Sequence, residues 1–109
     1  NKDSGHLDLR NSIELETGPD NIELDKSGAL WIGSHPKMLT FVKYSKDPTK
    51  LSPSQVLKVV FQNDGEHTVE EIYLNNGESL SGSSVAAVFK DIMLIGSVFD
   101  NHFLLCKLR

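Results

Sequence analysis

A single cysteine, Cys106, occurs among the 109 residues, which excludes an internal disulfide and any disulfide framework within the chain. There is no basic excess either: 11 Lys and Arg stand against 15 Asp and Glu, a net charge of −4. Without a basic footprint, nucleic acid and anionic lipid are disfavoured as partners. No apolar run approaches the roughly 20 residues of a membrane-spanning helix, and membrane association is otherwise left open. No segment longer than a few residues carries a convincing helical period. The opening Asn-Lys-Asp-Ser-Gly-His has neither an initiator Met nor a signal peptide, so a fragment or processed chain is expected.

What is present suits a soluble globular domain, with 39% hydrophobic and 24% charged residues at the size of one ordinary domain. Short runs rich in β-branched, aromatic and aliphatic residues recur between Gly, Asn, Asp, Pro and Ser. They predict strands near Ser12–Glu16, Asn21–Leu24, Ala29–Ser34, Thr40–Tyr44, Val56–Gln62, Glu70–Leu74, Ser83–Phe89, Ile92–Val98 and Phe103–Leu108. Turn signals separate them at Asp25-Lys26-Ser27-Gly28, Asn63-Asp64-Gly65 and Asn75-Asn76-Gly77, and Lys90-Asp91 reads as a tight hairpin. The longest loop is Ser45–Ser54, where Ser52-Pro53-Ser54-Gln55 could open a short helical turn. The predicted class is all-β: a sandwich, a barrel, or about two four-stranded propeller blades.

An internal echo favours the blades. Residues 20–33 and 82–97 each read as a hairpin whose second strand ends in aliphatic-Gly-Ser, at Ile32-Gly33-Ser34 and Ile95-Gly96-Ser97. Ile92–Ser97 is apolar almost throughout, as a strand covered on both faces would be. Two blades cannot close a ring, so the whole chain, 1–109, is expected to be a segment of one propeller, with 1–17 unassigned.

The order Gly18-Pro19-Asp20-Asn21-Ile22, Asp25, Leu30-Trp31-Ile32-Gly33 and His35-Pro36 resembles the paraoxonase/arylesterase family. Ser54-Gln55-Val56-Leu57, Asn76-Gly77, Leu80–Ala86, Leu94–Phe99 and Leu105-Cys106-Lys107-Leu108 continue the resemblance in family order, over about residues 18–108. The first dozen or so residues match no family string. The resemblance implies the C-terminal part of a six-bladed β-propeller with two calcium ions in its tunnel. It also implies calcium-dependent hydrolysis of lactones and aryl esters by the parent protein, with the remaining blades as structural partners. A non-catalytic propeller segment acting as a binding or chaperone-like module is the alternative.

Residue by residue, the resemblance makes Asp20 and Asn21 ligands of the upper of the two calcium ions, the one at the floor of the active site, the deeper one being structural. A carboxylate and an amide carbonyl are the hard oxygens that this cation takes. Read alone, the same pair is a turn after Gly18-Pro19. His35 matches a histidine of the active-site wall, with a possible part in proton transfer; read alone, it is a strand-end histidine bonded to backbone. Ser84, Val98 and Phe99 match positions that shape the substrate pocket, with blade packing as the plainer reading. Ser34 departs from the family, where many animal members carry a free cysteine before His-Pro. A thiol nucleophile there is excluded, and no Gly-X-Ser-X-Gly elbow surrounds Ser34. Asp25 is given only a hairpin role, and His6, His67 and His102 read as solvated. Cys106 reads by composition as a small apolar strand residue. The resemblance makes it half of a disulfide to a partner outside the chain, in an oxidising compartment, hence a secreted, periplasmic or membrane-associated protein. The family's histidine dyad belongs to an earlier blade, so the isolated chain is expected to be inactive.

Overall fold

A computed structural model describes residues 5–109. Its strands are β1 (Gly18–Leu24), β2 (Leu30–His35), β3 (Ser54–Phe61), β4 (His67–Asn75), β5 (Ser83–Phe89), β6 (Ile92–Ser97) and β7 (Leu104–Lys107), with one helix, α1 (Met38–Lys46). The strands form two antiparallel meanders, β1-β2-β3-β4 and β5-β6-β7. Each strand pairs with its neighbour in sequence, as in propeller blades.

Strand alternation decides what each sheet buries. From the first sheet, Trp31 and Val56 face Ala86, Met93 and Ile95 of the second, and Leu80 fills the space between them. The intervening residues Ile32, Leu57 and Val59 point to the opposite face, where Ile13 and Leu15 of the N-terminal segment cover them. The contact between sheets is close because of Gly33. A Cβ there would lie 2.4 Å from the Val85 backbone nitrogen, so only glycine lets β5 come this near to β2.

A seam of serines joins the sheets where no strand ladder runs. Ser54 Oγ donates to the Leu80 carbonyl at 2.5 Å and accepts from the Ser83 N–H at 3.1 Å. Ser83 Oγ accepts from the Gln55 N–H at 2.9 Å and lies 3.1 Å from the Ser34 and Gln55 carbonyls. Ser52 and Ser81 extend the seam, the Ser52 N–H donating to Ser81 Oγ at 2.8 Å. Buried polar groups need such partners, and the two motifs supply them for Ser54, Ser81 and Ser83, while the Ser34 and Ser52 hydroxyls are buried without a partner among the described residues.

Three sequence expectations change. Thr40–Tyr44 is not a strand but the middle of α1, in a chain read as lacking helical periodicity. Phe41 and Tyr44 are three residues apart, so both turn inward on one face of the helix. Lys43 and Lys46 complement the last turn, whose carbonyls at Lys43 and Tyr44 accept from the Asp47 N–H. Ser12–Glu16 forms no strand: the segment lies against the first sheet through side chains, without entering its ladder. Ser52–Gln55 opens no helical turn, because β3 begins at Ser54.

The turns are where the sequence placed them. Lys90 and Asp91 link β5 to β6 in two residues, with Lys90 at φ 57°. Asp25 organises its turn: it accepts from the Ser27 N–H, the Ser27 hydroxyl, the Ala29 N–H and the Trp31 indole N–H at 2.7 to 3.0 Å. The Ser27 hydroxyl and then the Trp31 indole hold its carboxyl well below the usual carboxylate range.

Candidate functional site

The first strands of the two sheets lie side by side, and the candidate residues gather where they meet. β1 is irregular there, its register on β2 shifting between Pro19 and Ile22. In a regular strand, consecutive side chains point to opposite faces. The bulge instead brings Asp20 and Asn21 together, with the Asn21 amide nitrogen 3.2 Å from Asp20 Oδ1. The same nitrogen donates to the Ser84 carbonyl of β5 at 3.1 Å. Both partners are acceptors, which fixes the amide's orientation: nitrogen toward them and carbonyl oxygen away.

His35 closes the other side of Asp20. Its Nε2 lies 3.1 Å from Asp20 Oδ2, and a carboxylate oxygen can only accept, so Nε2 carries the proton. The His35 side chain is 4% exposed against 34% for Asp20. The imidazole therefore supports the carboxylate from within, while the carboxylate faces outward. The ring stacks on Phe41 with centroids 3.6 Å apart, and its Nδ1 is buried without a partner among the described residues.

The aromatic contacts run on across α1. Tyr44 lies 6.1 Å from Phe41 and packs edge-on against Phe99 at 5.2 Å. Phe99 and Val98 follow β6 and are 45% and 39% exposed, forming an apolar lip. Ser84, half-buried on β5, reaches Asn21 through its backbone carbonyl. Asp20, Asn21, His35 and Ser84 are thus linked by direct bonds, and Phe99 joins them through Phe41 and Tyr44. Val98 takes part through backbone, its N–H donating to the Gly82 carbonyl at 3.1 Å.

Cys106 is remote from this cluster. It lies half-buried on β7 opposite Met93, packs against the inter-sheet core and is a free thiol; burial pushes its pKa up. His102 is exposed but bonded, 2.9 Å from the Ser79 carbonyl, and His67 lies against the Phe61 ring.

Sequence reading missed Phe41, Tyr44, Ser81 and Ser97. The available signal was the three-residue spacing of Phe41 and Tyr44 after Pro36, which fits a helix face. Taken as a strand, those two aromatics would have pointed apart.

Chemically, the cluster offers the Asp20 carboxylate and, from the neighbouring Asn21, an amide oxygen left free by the contacts of its nitrogen. These are two hard donors, against the six to eight a calcium ion takes. No three His, Cys, Asp or Glu side chains gather as a metal-binding group among the described residues.

Comparison with known proteins bears on this arrangement. The arylesterase family model matches residues 1–108, reaching further back than the start at residue 18 seen in the motifs. Human serum paraoxonase/arylesterase 2 is 38% identical over 97 residues, 88% of this chain and 27% of that protein. Human serum paraoxonase/arylesterase 1 is 39% identical over 99 residues, 89% of this chain and 27% of the relative. The rat serum paraoxonase/arylesterase 1 is 40% identical over 98 residues, 86% of this chain and 26% of the relative. The chain thus spans about a quarter of the length of the curated relatives it matches. With two antiparallel meanders packed as neighbouring blades, and a match along nearly its whole length, the chain belongs to the arylesterase family.

Proposed function

We propose that this chain is the C-terminal segment of a β-propeller ester hydrolase that acts, with calcium, on aryl esters and lactones. The supporting observation is the bulge at Asp20-Asn21, which sets a carboxylate beside a side-chain amide where the two sheets meet. That donor chemistry suits calcium, and other blades of the full-length protein would complete the shell. The names of the relatives, paraoxonase/arylesterase, support ester hydrolysis as the reaction class.

Bound calcium would supply Lewis-acid polarisation of the substrate carbonyl. The chain's own residues perform the supporting work. Asp20 and Asn21 would hold the cation from β1. His35 donates its Nε2 proton to Asp20, which fixes the carboxylate's orientation from its buried side. The Ser84 carbonyl holds the Asn21 amide so that its oxygen stays available. Val98 and Phe99 would shelter the apolar part of the substrate, and Ser84 would border the pocket. His35 also belongs to the wall, where proton transfer by its ring would need an approach through Asp20. Water activation falls to residues of other blades.

The relatives carry "serum" in their names, which supports a secreted protein. No helix among the described residues is long and apolar enough to cross a membrane. In the same reading, Cys106 on the last strand would bridge to a cysteine of another blade.

The test is Asp20→Ala in the full-length protein, assayed with phenyl acetate in excess calcium. Hydrolysis should fall by at least ~100-fold with secondary structure intact, the expected scale for losing electrostatic stabilisation at the reacting carbonyl. Retained activity would remove Asp20 from the site.

A further inference from the structure

Tyr44 is the most deeply buried aromatic residue of the chain, at 0% exposure, and sits on the inner face of α1. Its hydroxyl donates to the Ser81 carbonyl at 3.2 Å and lies 3.3 Å from Ser97 Oγ. Those two atoms organise the turn after β6. Ser97 Oγ donates to the same Ser81 carbonyl at 2.5 Å and accepts from the Phe99 and Asp100 N–H groups at 3.3 and 3.1 Å. Asp100 returns the contact by accepting from the Ser81 N–H at 2.9 Å. The Tyr44 edge meets the Phe99 ring on one side, and on the other Phe41 connects it to His35.

The ring also sits where a side chain would be. Gly82 has φ 59°, and a Cβ built on it would come 2.4 Å from Tyr44 Cε1. The chain therefore admits Tyr44 against bare backbone at the residue whose carbonyl accepts from the Val98 N–H. Helix α1 meets the apolar lip through Tyr44, whose ring packs edge-on against Phe99.

We propose that Tyr44 is a positioning residue that sets specificity. It fixes the Ser97–Asp100 turn, and through it holds Val98 and Phe99 against the apolar group of an ester substrate. The proposal rests on the ester-hydrolase reading, and adds to it the part of the substrate that this wall selects. A held lip contributes binding that grows with the substrate's apolar reach. A loosened one costs a long acyl chain more than a short one, and the loss falls on KM.

The experiment uses full-length Tyr44→Phe and Ser97→Ala, each with the parent protein, assayed on phenyl acetate and phenyl hexanoate. Amide exchange at Val98–Asp100 is followed alongside. Losing one buried hydrogen bond should raise the hexanoate-to-acetate KM ratio by about 3- to 10-fold and speed exchange by a similar factor. An unchanged ratio with unchanged exchange overturns the proposal. So does an equal fall of kcat on both esters with an unchanged KM ratio, since that is the signature of a general structural role. If the parent protein hydrolyses neither ester, the ester-hydrolase reading fails. The exchange measurement then decides for Tyr44 alone: faster exchange supports the positioning role and unchanged exchange removes it.

Discussion

The two sheets carry the same aliphatic-Gly-Ser ending but live in different surroundings. In the first sheet, Ile32-Gly33-Ser34 closes a strand buried from Trp31 to His35, with Ile13 and Leu15 over the face turned away from the second sheet. In the second, Ile95-Gly96-Ser97 closes a strand that alternates. Met93 and Ile95 are buried against the first sheet, while Ile92 and Leu94 remain 39% and 40% exposed. Its apolar outer face continues through Leu105, 65% exposed on β7. The echo thus encodes a blade strand made to be covered on both sides, and within these residues only the first sheet has that cover. The second sheet also has three strands against four, with β7 as a free edge. An uncovered apolar sheet with an unpaired edge is a surface that proteins normally cover or pair.

The sharpest way to break this comparison is at the two equivalent glycines. A methyl group on Gly33 meets the backbone of Ser84 and Val85 at 2.4 to 2.8 Å, which cannot yield without parting the sheets. The same change at Gly96 meets only Val85 Cγ1 at 3.2 Å, a side-chain contact that can shift. Gly33→Ala should therefore cost about 2–3 kcal/mol and Gly96→Ala less than ~1 kcal/mol, by urea unfolding of the full-length protein. Equal costs would mean that the sheets are not packed as described.

A smaller effect should come from Asp25, which ties the first sheet's hairpin to Trp31 and has no counterpart at Lys90-Asp91 in the second. Its carboxyl titrates below the usual range when folded, so it contributes stability above the ordinary carboxylate pKa. That contribution disappears as pH falls through the ordinary range toward the lowered folded value. Asp25→Asn should thus unfold at a lower temperature than the parent at pH 7. The gap should close as the solution is acidified, since both chains then lack the charge. A gap of constant size would show that the carboxylate charge is not what holds the turn.

Much of the comparison was legible in the sequence. Short apolar runs and Gly/Asn/Asp turns located all seven strands to within three residues at each end, because strand and turn chemistry are local properties. The largest misses are the starts of β1 and β4, which begin three residues earlier than read, at Gly18 and His67, while β7 is one residue shorter at each end than Phe103–Leu108. The helix was read as a strand despite the three-residue spacing of Phe41 and Tyr44. Thr40, Phe41, Val42 and Tyr44 are β-branched or aromatic, so local propensity favoured a strand, and the packing of Phe41 on His35 and Tyr44 on Ser81 overrode it. Ser12–Glu16 failed in the opposite way, since its alternation serves to cover a sheet without joining it.

At the site, Asp20, Asn21, His35, Ser84, Val98 and Phe99 could be named from motif resemblance, while their arrangement could not. The bulge that places Asp20 beside Asn21 depends on register with β2, and the contacts of Tyr44 with Ser81 and Ser97 span 37 and 53 residues of sequence. Pairings of that kind are fixed by the packed fold, and no local pattern carries them.

The most direct test of the account is the calcium dependence of aryl ester hydrolysis by the full-length protein and its Asp20→Asn variant. That substitution keeps the side chain's size and one oxygen but removes the charge. The account requires activity that rises with calcium and saturates in the parent, and a variant whose half-saturating calcium is at least about 10-fold higher, or which stays inactive, because ligand charge count tunes calcium affinity. Superimposable calcium curves for the two proteins would contradict it.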